Sequence, residues 1–132
     1  MRLRWMDPGT PSQTIWEAQV PRAAGENAPV GATGVFENVQ CVLYDKGQPT
    51  TDLRARRVRA VEAEWRVEAT GGVEARSRVN DVQLQAKEVI WFARQNRLIA
   101  RGDVRITGKQ FSLRAPEVEL DTALRLMRVA SP

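Results

Sequence analysis

A unit of about 30 residues repeats along this chain, and its pattern permits few kinds of fold. The spacing Leu-x-Ala-x-x-Val occurs three times, at intervals of 31 and 29 residues. A second segment also returns after 31 residues, since Ala69 and Val73 correspond to Ala100 and Val104. Internal repeats of this length are typical of stacked architectures, in which each copy packs against the next. The copies of the first segment are Leu53-Ala55-Val58, Leu84-Ala86-Val89 and Leu113-Ala115-Val118.

The copy from Leu84 to Ile106 indicates its secondary structure most clearly. In its second half the apolar residues fall on one parity and the charged residues on the other, as side chains do on a half-buried strand. A polar tetrapeptide, Arg94 to Arg97, separates this segment from another apolar-rich segment. We therefore predict a β-hairpin here and a stack of such hairpins along the chain. The inward parity holds Leu98, Ala100, Gly102, Val104 and Ile106, and the outward parity holds Arg97, Arg101, Asp103 and Arg105.

Each copy contains one break in the alternation. The Ala and the Val of the repeat are three residues apart, so they would point to opposite faces of a regular strand. A β-bulge or a bend returns both side chains to the same face. Because the break recurs, we predict a bend at a common position in each long strand, with Gly71 and Gly102 as strand corners.

The predicted fold class is all-β, with roughly nine strands joined as a meander. A length of 132 residues suits one domain. We predict a leader or linker over 1–12 and a single domain over 13–132, whose organised part is 35–129. Gln13 to Val20 is expected to form a first strand, and 21–34 an irregular loop. The long twisted sheet is expected to fold over into two antiparallel layers, with an apolar interior and two open edges.

The residue types argue against an enzyme. The chain has no histidine and one cysteine, which removes the commonest general base and any cysteine-based metal site. No phosphate-binding glycine motif occurs, and most carboxylates take outward parity between apolar residues. We therefore predict no catalytic activity, no metal and no cofactor. The cysteine, Cys41, lies in an apolar strand and is predicted to be a small core residue.

The chain also carries no recognisable membrane or export signal. No run of about 18 apolar residues occurs, so no transmembrane helix is predicted. Met1 to Trp5 is charged but no apolar run follows it, so no signal peptide is visible. Either the protein is cytoplasmic, or the chain begins after a targeting or anchoring segment that was removed.

A net charge of +4, carried mainly by arginine, raises the question of nucleic-acid binding. Acidic residues are interleaved with the arginines, as in Glu62 to Glu68. The basic cluster from Arg54 to Arg59 is equally typical of a solvated face or of a strand edge protected against aggregation. We therefore predict no nucleic-acid partner, although a basic sheet that binds nucleic acid is one function to be tested.

The predicted interior is the most informative region for function. Many of its positions are alanine, so two facing layers either lie close together or leave free apolar volume. A filled interior is an ordinary sandwich core, whereas free volume between sheets suits acyl chains. The residues alone leave both alternatives open. The predicted lining is Trp65, Val67, Ala69, Val73, Leu84, Ala86, Trp91, Leu98, Ala100, Val104, Ile106, Phe111, Leu113 and Val118.

The succession of these segments resembles a known family. Between Val35 and Val129 the chain is similar to periplasmic lipopolysaccharide-export proteins of the LptC type and to their relatives of the LptA/OstA type. Leucine-x-alanine strands alternate with glycine-x-valine strands, in register, over about 95 residues. The segments that carry the resemblance are Val39 to Pro49, Leu53-Arg54-Ala55, Leu84-Gln85-Ala86 with Val89-Ile90-Trp91, Leu98 to Val104, and Leu113-Arg114-Ala115 with Val118.

This resemblance implies an open β-jellyroll with a V-shaped apolar interior that serves as a slide for the acyl chains of lipid A. It implies edge-strand pairing with an LptA-like bridge protein, self-association through the same edges, and lipid supplied by inner-membrane ABC transporter subunits. The implied location is the periplasm, with an inner-membrane anchor in the full-length LptC-type protein that is absent from this chain.

The resemblance also suggests which strands meet partners. The last strand, Thr122 to Val129, is the candidate edge that passes lipid on, with Leu124, Leu126 and Val129. The early strand, Gln13 to Val20, is the candidate edge that faces the transporter, with Ile15. Arginines near the groove mouth could pair with lipid A phosphates, or they could belong to a solvated outer face. The available arginines are Arg54, Arg97, Arg101 and Arg105.

The leading hypothesis is therefore a non-enzymatic module that binds lipopolysaccharide and transfers it through an apolar groove. The alternative from another class is a structural β-stack that self-assembles or adheres without binding lipid.

Overall fold

The computed structural model describes residues 2–7, 9–20 and 34–130. Within them the chain forms one antiparallel sheet in which each strand pairs with the next along the sequence, so the predicted all-β meander is confirmed. The strands are β1 (Arg2–Asp7), β2 (Thr10–Gln19), β3 (Gly34–Asp45), β4 (Gln48–Val61), β5 (Arg66–Ser77), β6 (Gln83–Phe92), β7 (Arg97–Thr107), β8 (Ser112–Leu120) and β9 (Leu126–Val129).

The hairpin predicted over 84–106 is present as β6 and β7, in which Leu84 pairs with Ile106. A short 3₁₀ turn joins the two strands and ends at Asn96 in a left-handed backbone conformation, with φ of 51°. The turn between β4 and β5 ends in the same way at Trp65, with φ of 53° and 31 residues earlier in the chain. The sequence repeat is therefore a repeat of whole hairpins, turns included.

The N-terminal residues differ from the leader predicted over 1–12, because part of them forms β1 and pairs with β2. Leu3 and Trp5 are buried, whereas Arg2 and Arg4 are exposed. The alternation of a half-buried strand is thus present in the sequence, but it spans too few residues to stand out from a polar segment.

The predicted first strand and the predicted loop after it can be compared with the observed bounds of β2 and β3. The first strand predicted from Gln13 to Val20 corresponds to β2, which begins three residues earlier. The loop predicted over 21–34 lies outside the described residues, apart from Gly34, which begins β3. The assignment of 13–132 to a single domain stays a prediction.

The long strands bend where the Ala-x-x-Val spacing predicts. The pairing register shifts between Ala55 and Arg57 of β4 and between Gln85 and Glu88 of β6, as expected for β-bulges. The shifts line up across β4 to β7 and divide the sheet into two halves, called the first wing and the second wing below. The first wing holds residues 2–5, 16–19, 39–45, 48–55, 73–77, 83–86, 104–107 and 112–115, and the second wing holds 34–37, 58–61, 66–70, 88–92, 97–101 and 117–120.

The two wings face each other across one apolar core. Their buried side chains belong to a single packed cluster, so the sheet is folded over at its bulges and covers its own apolar face. Along the second wing, alanine alternates with larger residues, which lets side chains of the two layers interdigitate. That cross-strand row is Phe36, Val58, Ala69, Val89, Ala100 and Val118.

Candidate functional site

Most of the residues predicted to line the interior lie between the two wings. Each is at most 9% exposed, and each belongs to the same core cluster. The predicted inward parity is therefore correct for these positions, and their contact with lipid stays a prediction. They are Val67, Ala69, Val73, Leu84, Ala86, Trp91, Leu98, Ala100, Val104, Ile106 and Val118.

Phe111 differs from its predicted inward position. Its side chain is 43% exposed, and it precedes Ser112, the first residue of β8. Parity predicts an inward side chain only within a strand, and Phe111 lies outside one. Its ring lies against Gly108, where it leaves no room for a Cβ atom. The neighbouring lining residue Leu113 is partly buried and packs against the core cluster.

Trp65 lies at the mouth of the interior. The mouth is the side away from the bulges, where the outer ends of the two wings meet. It is partly buried and packs against the core. Its ring contacts Trp5 of β1, with centroids 5.4 Å apart, and the Arg94 guanidinium carbon lies 4.3 Å from its centroid. Because Trp5 pairs with Trp16 of the first wing, the contact joins the two wings. Trp5 was not among the residues predicted to line the interior, although its alternation with Arg2 and Arg4 indicates an inward position.

Residues 121–125, between β8 and β9, cross the mouth and are called the strap below. The Thr122 N–H donates a hydrogen bond to Asn96 Oδ1 (3.0 Å), and Trp91 Nε1–H donates one to Thr122 Oγ1 (3.0 Å). Both partners lie at the outer end of the second wing. From the first wing, the Thr51 hydroxyl donates to the Thr122 carbonyl oxygen. Thr122 therefore links the outer ends of the two wings.

The strap also contributes to the core. Thr122, Ala123 and Leu124 are 1%, 6% and 1% exposed, and Leu124 belongs to the core cluster. The Ala123 carbonyl accepts a hydrogen bond from Asn80 Nδ2 (3.0 Å), while the Asp121 carboxylate accepts one from the Ala123 N–H (2.9 Å). The strap is thus an ordered turn that closes this part of the mouth with both apolar and polar contacts.

Within the described residues, the edge strands of the sheet are β1 and β9. Leu126, Met127 and Val129 of β9 are 42%, 54% and 43% exposed, so this edge is apolar on both faces. Leu124 differs from its predicted place on the edge, because it is buried in the strap. Ile15 also differs, because it lies on β2, and β1 occupies the edge that the sequence assigned to the early strand.

The arginines considered for phosphate binding take the outer face of the sheet. Arg97 and Arg101 each lie 2.6 Å from a carboxylate oxygen of β8, and Arg105 lies 3.4 Å from Asp103. Among the described residues, no ion-pair partner of Arg54 is found; its side chain borders two outer-face concavities of about 770 and 520 Å³. These concavities lie outside the wings, and the absence of a nucleic-acid partner stays a prediction.

Cys41 is 3% exposed in the first wing, which confirms its prediction as a small core residue. Burial raises the pKa of its thiol to about 12. The described part of the chain contains no group of three or more His, Cys, Asp or Glu residues able to hold a metal ion. None of the helical segments in the described residues has the length and the apolar character needed to cross a membrane. The prediction that the protein is not an enzyme remains a prediction.

A similar protein of known structure identifies the fold of this chain. No family model matches the sequence, and no curated protein matches it. Among solved structures, the fold of this chain is similar to that of LptH from Pseudomonas aeruginosa, the LptA-homologous periplasmic component of a lipopolysaccharide transport device. The TM-score is 0.66 at 13% sequence identity, over 89% of this chain and 82% of that one. The likeness confirms the predicted open β-jellyroll.

Proposed function

We propose that this protein is a non-enzymatic module that binds lipopolysaccharide and passes it along a bridge across the periplasm. The observation that carries the proposal is one open sheet folded over a continuous apolar interior, with β1 and β9 as its edge strands among the described residues. The resemblance of its repeats to the LptC and LptA/OstA types, together with the fold it shares with LptH, supports lipopolysaccharide as the cargo.

The interior has the chemistry that a mobile acyl chain needs. An alkyl chain that leaves water for an apolar site gains about 0.8 kcal/mol per CH₂ group. The lining consists of aliphatic and aromatic side chains without a charged group, so no single position anchors the chain strongly. In this structure the wings are packed on each other, and acyl chains therefore enter by separating them.

The two edges supply the partner surfaces of the proposal. β9 exposes apolar side chains and pairs with β8 alone among the described strands, which suits strand addition by an LptA-like bridge protein or by a second copy. β1, at the opposite edge, faces the inner-membrane ABC transporter subunits. We place the protein in the periplasm in an LptC-type role, held at the inner membrane.

A structural β-stack without lipid is the second candidate, and the close packing of the wings favours it. An interior that is already filled by its own side chains can serve only to hold two sheet edges at a fixed distance. Edge-to-edge association would then be the whole function.

Photo-crosslinking separates the two candidates. A photoreactive amino acid at Val104, which is fully buried, is expected to form an adduct with lipopolysaccharide in membranes that contain it. The matched control is the same substitution at Arg105, the next residue of β7, whose side chain points outward. Equal labelling from both positions, or none from any inward position, would favour the structural stack.

The same approach tests the edge. A photoreactive residue at Val129 of β9 is expected to capture a protein partner or a second copy rather than lipid. Lipid adducts at Val129 without any protein adduct would contradict the assignment of β9 as a partner edge.

A further inference from the structure

We infer that the strap is a releasable closure of the interior, and that acyl chains enter through the mouth when Thr122 separates from Thr51. This inference rests on the proposed function and specifies where its cargo enters.

The two wings can separate at the mouth but not at the bulges. At the bulges the backbone of each long strand runs from one wing into the other, so separation there would require breaking the sheet. At the mouth, the outer ends of the wings belong to different parts of the chain. Thr51 of the first wing and Trp91 of the second wing meet through Thr122, and their separation from it breaks no strand pairing.

The strap is built so that it can be released. Its hydrogen bonds to Thr51, Asn80, Trp91 and Asn96 come from side chains, and water can replace each of them when the mouth opens. Leu124 holds a left-handed backbone conformation, with φ of 64°, which is unfavourable for a residue that carries a Cβ atom. A strap that leaves this conformation on release relieves that local strain in the backbone.

The side chain of Leu124 fills the apolar space that opens when the strap moves away. Its side chain is 1% exposed within the same core cluster as Trp91 and Leu98. When the strap leaves, an alkyl chain can cover the apolar surfaces that Leu124 covered, so the ligand keeps those surfaces away from water. The occupant that fits this site is a flexible hydrocarbon chain, since the surrounding core side chains are apolar.

Two neighbouring threonines make a matched test. Thr51 and Thr50 are both buried and both donate a hydrogen bond to a backbone carbonyl. The Thr50 bond goes to Leu43 within the first wing, whereas the Thr51 bond crosses the mouth to the strap. Thr51→Val and Thr50→Val therefore remove similar bonds, and only the first loosens the closure.

The measurement is the rate at which each protein captures a long-chain fluorescent fatty acid in stopped-flow mixing. Thr51→Val is expected to capture it about fivefold faster than the unsubstituted protein, the factor that corresponds to one buried hydrogen bond. Thr50→Val is expected to capture it at the unsubstituted rate. Equal rates in all three proteins, or equal acceleration in both variants, would overturn the strap as the closure while leaving lipid binding intact.

Hydrogen exchange gives an independent readout in the unsubstituted chain. With the fatty acid bound, the amide of Thr122, whose N–H bonds to Asn96 outside the strap, is expected to exchange about tenfold faster than in the free protein, because the strap is displaced. Unchanged or slower exchange would show that the chain enters elsewhere. Failure of every protein to capture the fatty acid, even at equilibrium, would contradict the proposed function itself, and this inference would fall with it.

Discussion

At the scale of single residues, burial decides the chemistry of Cys41. The residue pairs with Ala18 of β2 and Leu53 of β4 within the first wing. Its thiolate would lose its hydration there, so burial raises the thiol pKa from 9.0 to about 12. Cys41 is therefore a small apolar core residue in the folded protein, and its thiol becomes reactive only when the wing opens.

This pKa predicts a loss of stability at alkaline pH. The folded pKa is raised, so the contribution of Cys41 is complete below the unfolded value of 9.0 and disappears as the pH rises toward about 12. In that window the free energy of unfolding should fall by about 1.4 kcal/mol per pH unit on account of this group. Urea unfolding of the unsubstituted protein and of Cys41→Ala at several pH values measures the difference. The contributions of all other titrating groups cancel in this difference, because both proteins carry them. Free energies of unfolding that change with pH in parallel in the two proteins would contradict the prediction.

At the scale of the strands, the bulges set the shape of the sheet. Gly71 and Gly102 occupy equivalent positions, 31 residues apart, with φ of 81° and 83°. A Cβ atom on Gly102 would lie 2.8 Å from Lys87 Cβ, and one on Gly71 would lie 2.9 Å from Arg56 Cβ. Glycine is needed here both for the backbone conformation and for the close approach of the bulged neighbouring strand.

Gly102→Ala and Gly72→Ala separate these two requirements. Gly72 also has a positive φ, of 97°, but an added Cβ would meet nothing within 4 Å. Gly72→Ala should cost about 1–2 kcal/mol for the left-handed conformation. Gly102→Ala should cost a further 1–3 kcal/mol, roughly, for the steric clash. Chemical denaturation measures both; equal losses would mean that the neighbouring strand moves aside without cost.

At the scale of the whole molecule, contacts at the mouth hold the two wings together. The strap closes one part of it, and the contact between Trp5 and Trp65 closes another. Trp65 takes the left-handed position that Asn96 takes in the equivalent turn. Asparagine tolerates this conformation well, whereas tryptophan does so at a cost. We expect the aromatic contact between the wings to outweigh that cost at position 65.

Trp65→Asn is therefore expected to reduce stability despite a more favourable turn. The expected net loss is about 1–2 kcal/mol, because the aromatic burial that is removed exceeds the relief of the left-handed conformation. Thermal or urea unfolding measures it, and a double-mutant cycle with Trp5→Leu isolates the contact between the wings. Full additivity of the two substitutions would show that the rings stabilise the protein separately.

Local patterns predicted the elements of this protein well. The alternation in 84–106 and the spacing of Ala55 and Val58 depend on neighbouring residues, so the hairpin and the bulges follow from the sequence. The strand Arg2–Asp7 was missed because it has only two inward apolar residues, Leu3 and Trp5. Phe111 was misplaced because parity has no meaning beyond the end of a strand.

The sequence by itself therefore determined the period, the bend in each long strand and the inward face of most of them. These are consequences of side-chain alternation over a few residues. Only the tertiary structure decided that β1 and β9 are the edges, that the wings close on each other, and that Thr122 joins Thr51 to Trp91. Those contacts link residues 31 and 71 positions apart, and no local pattern encodes which distant side chains will meet once the sheet folds over its own apolar face.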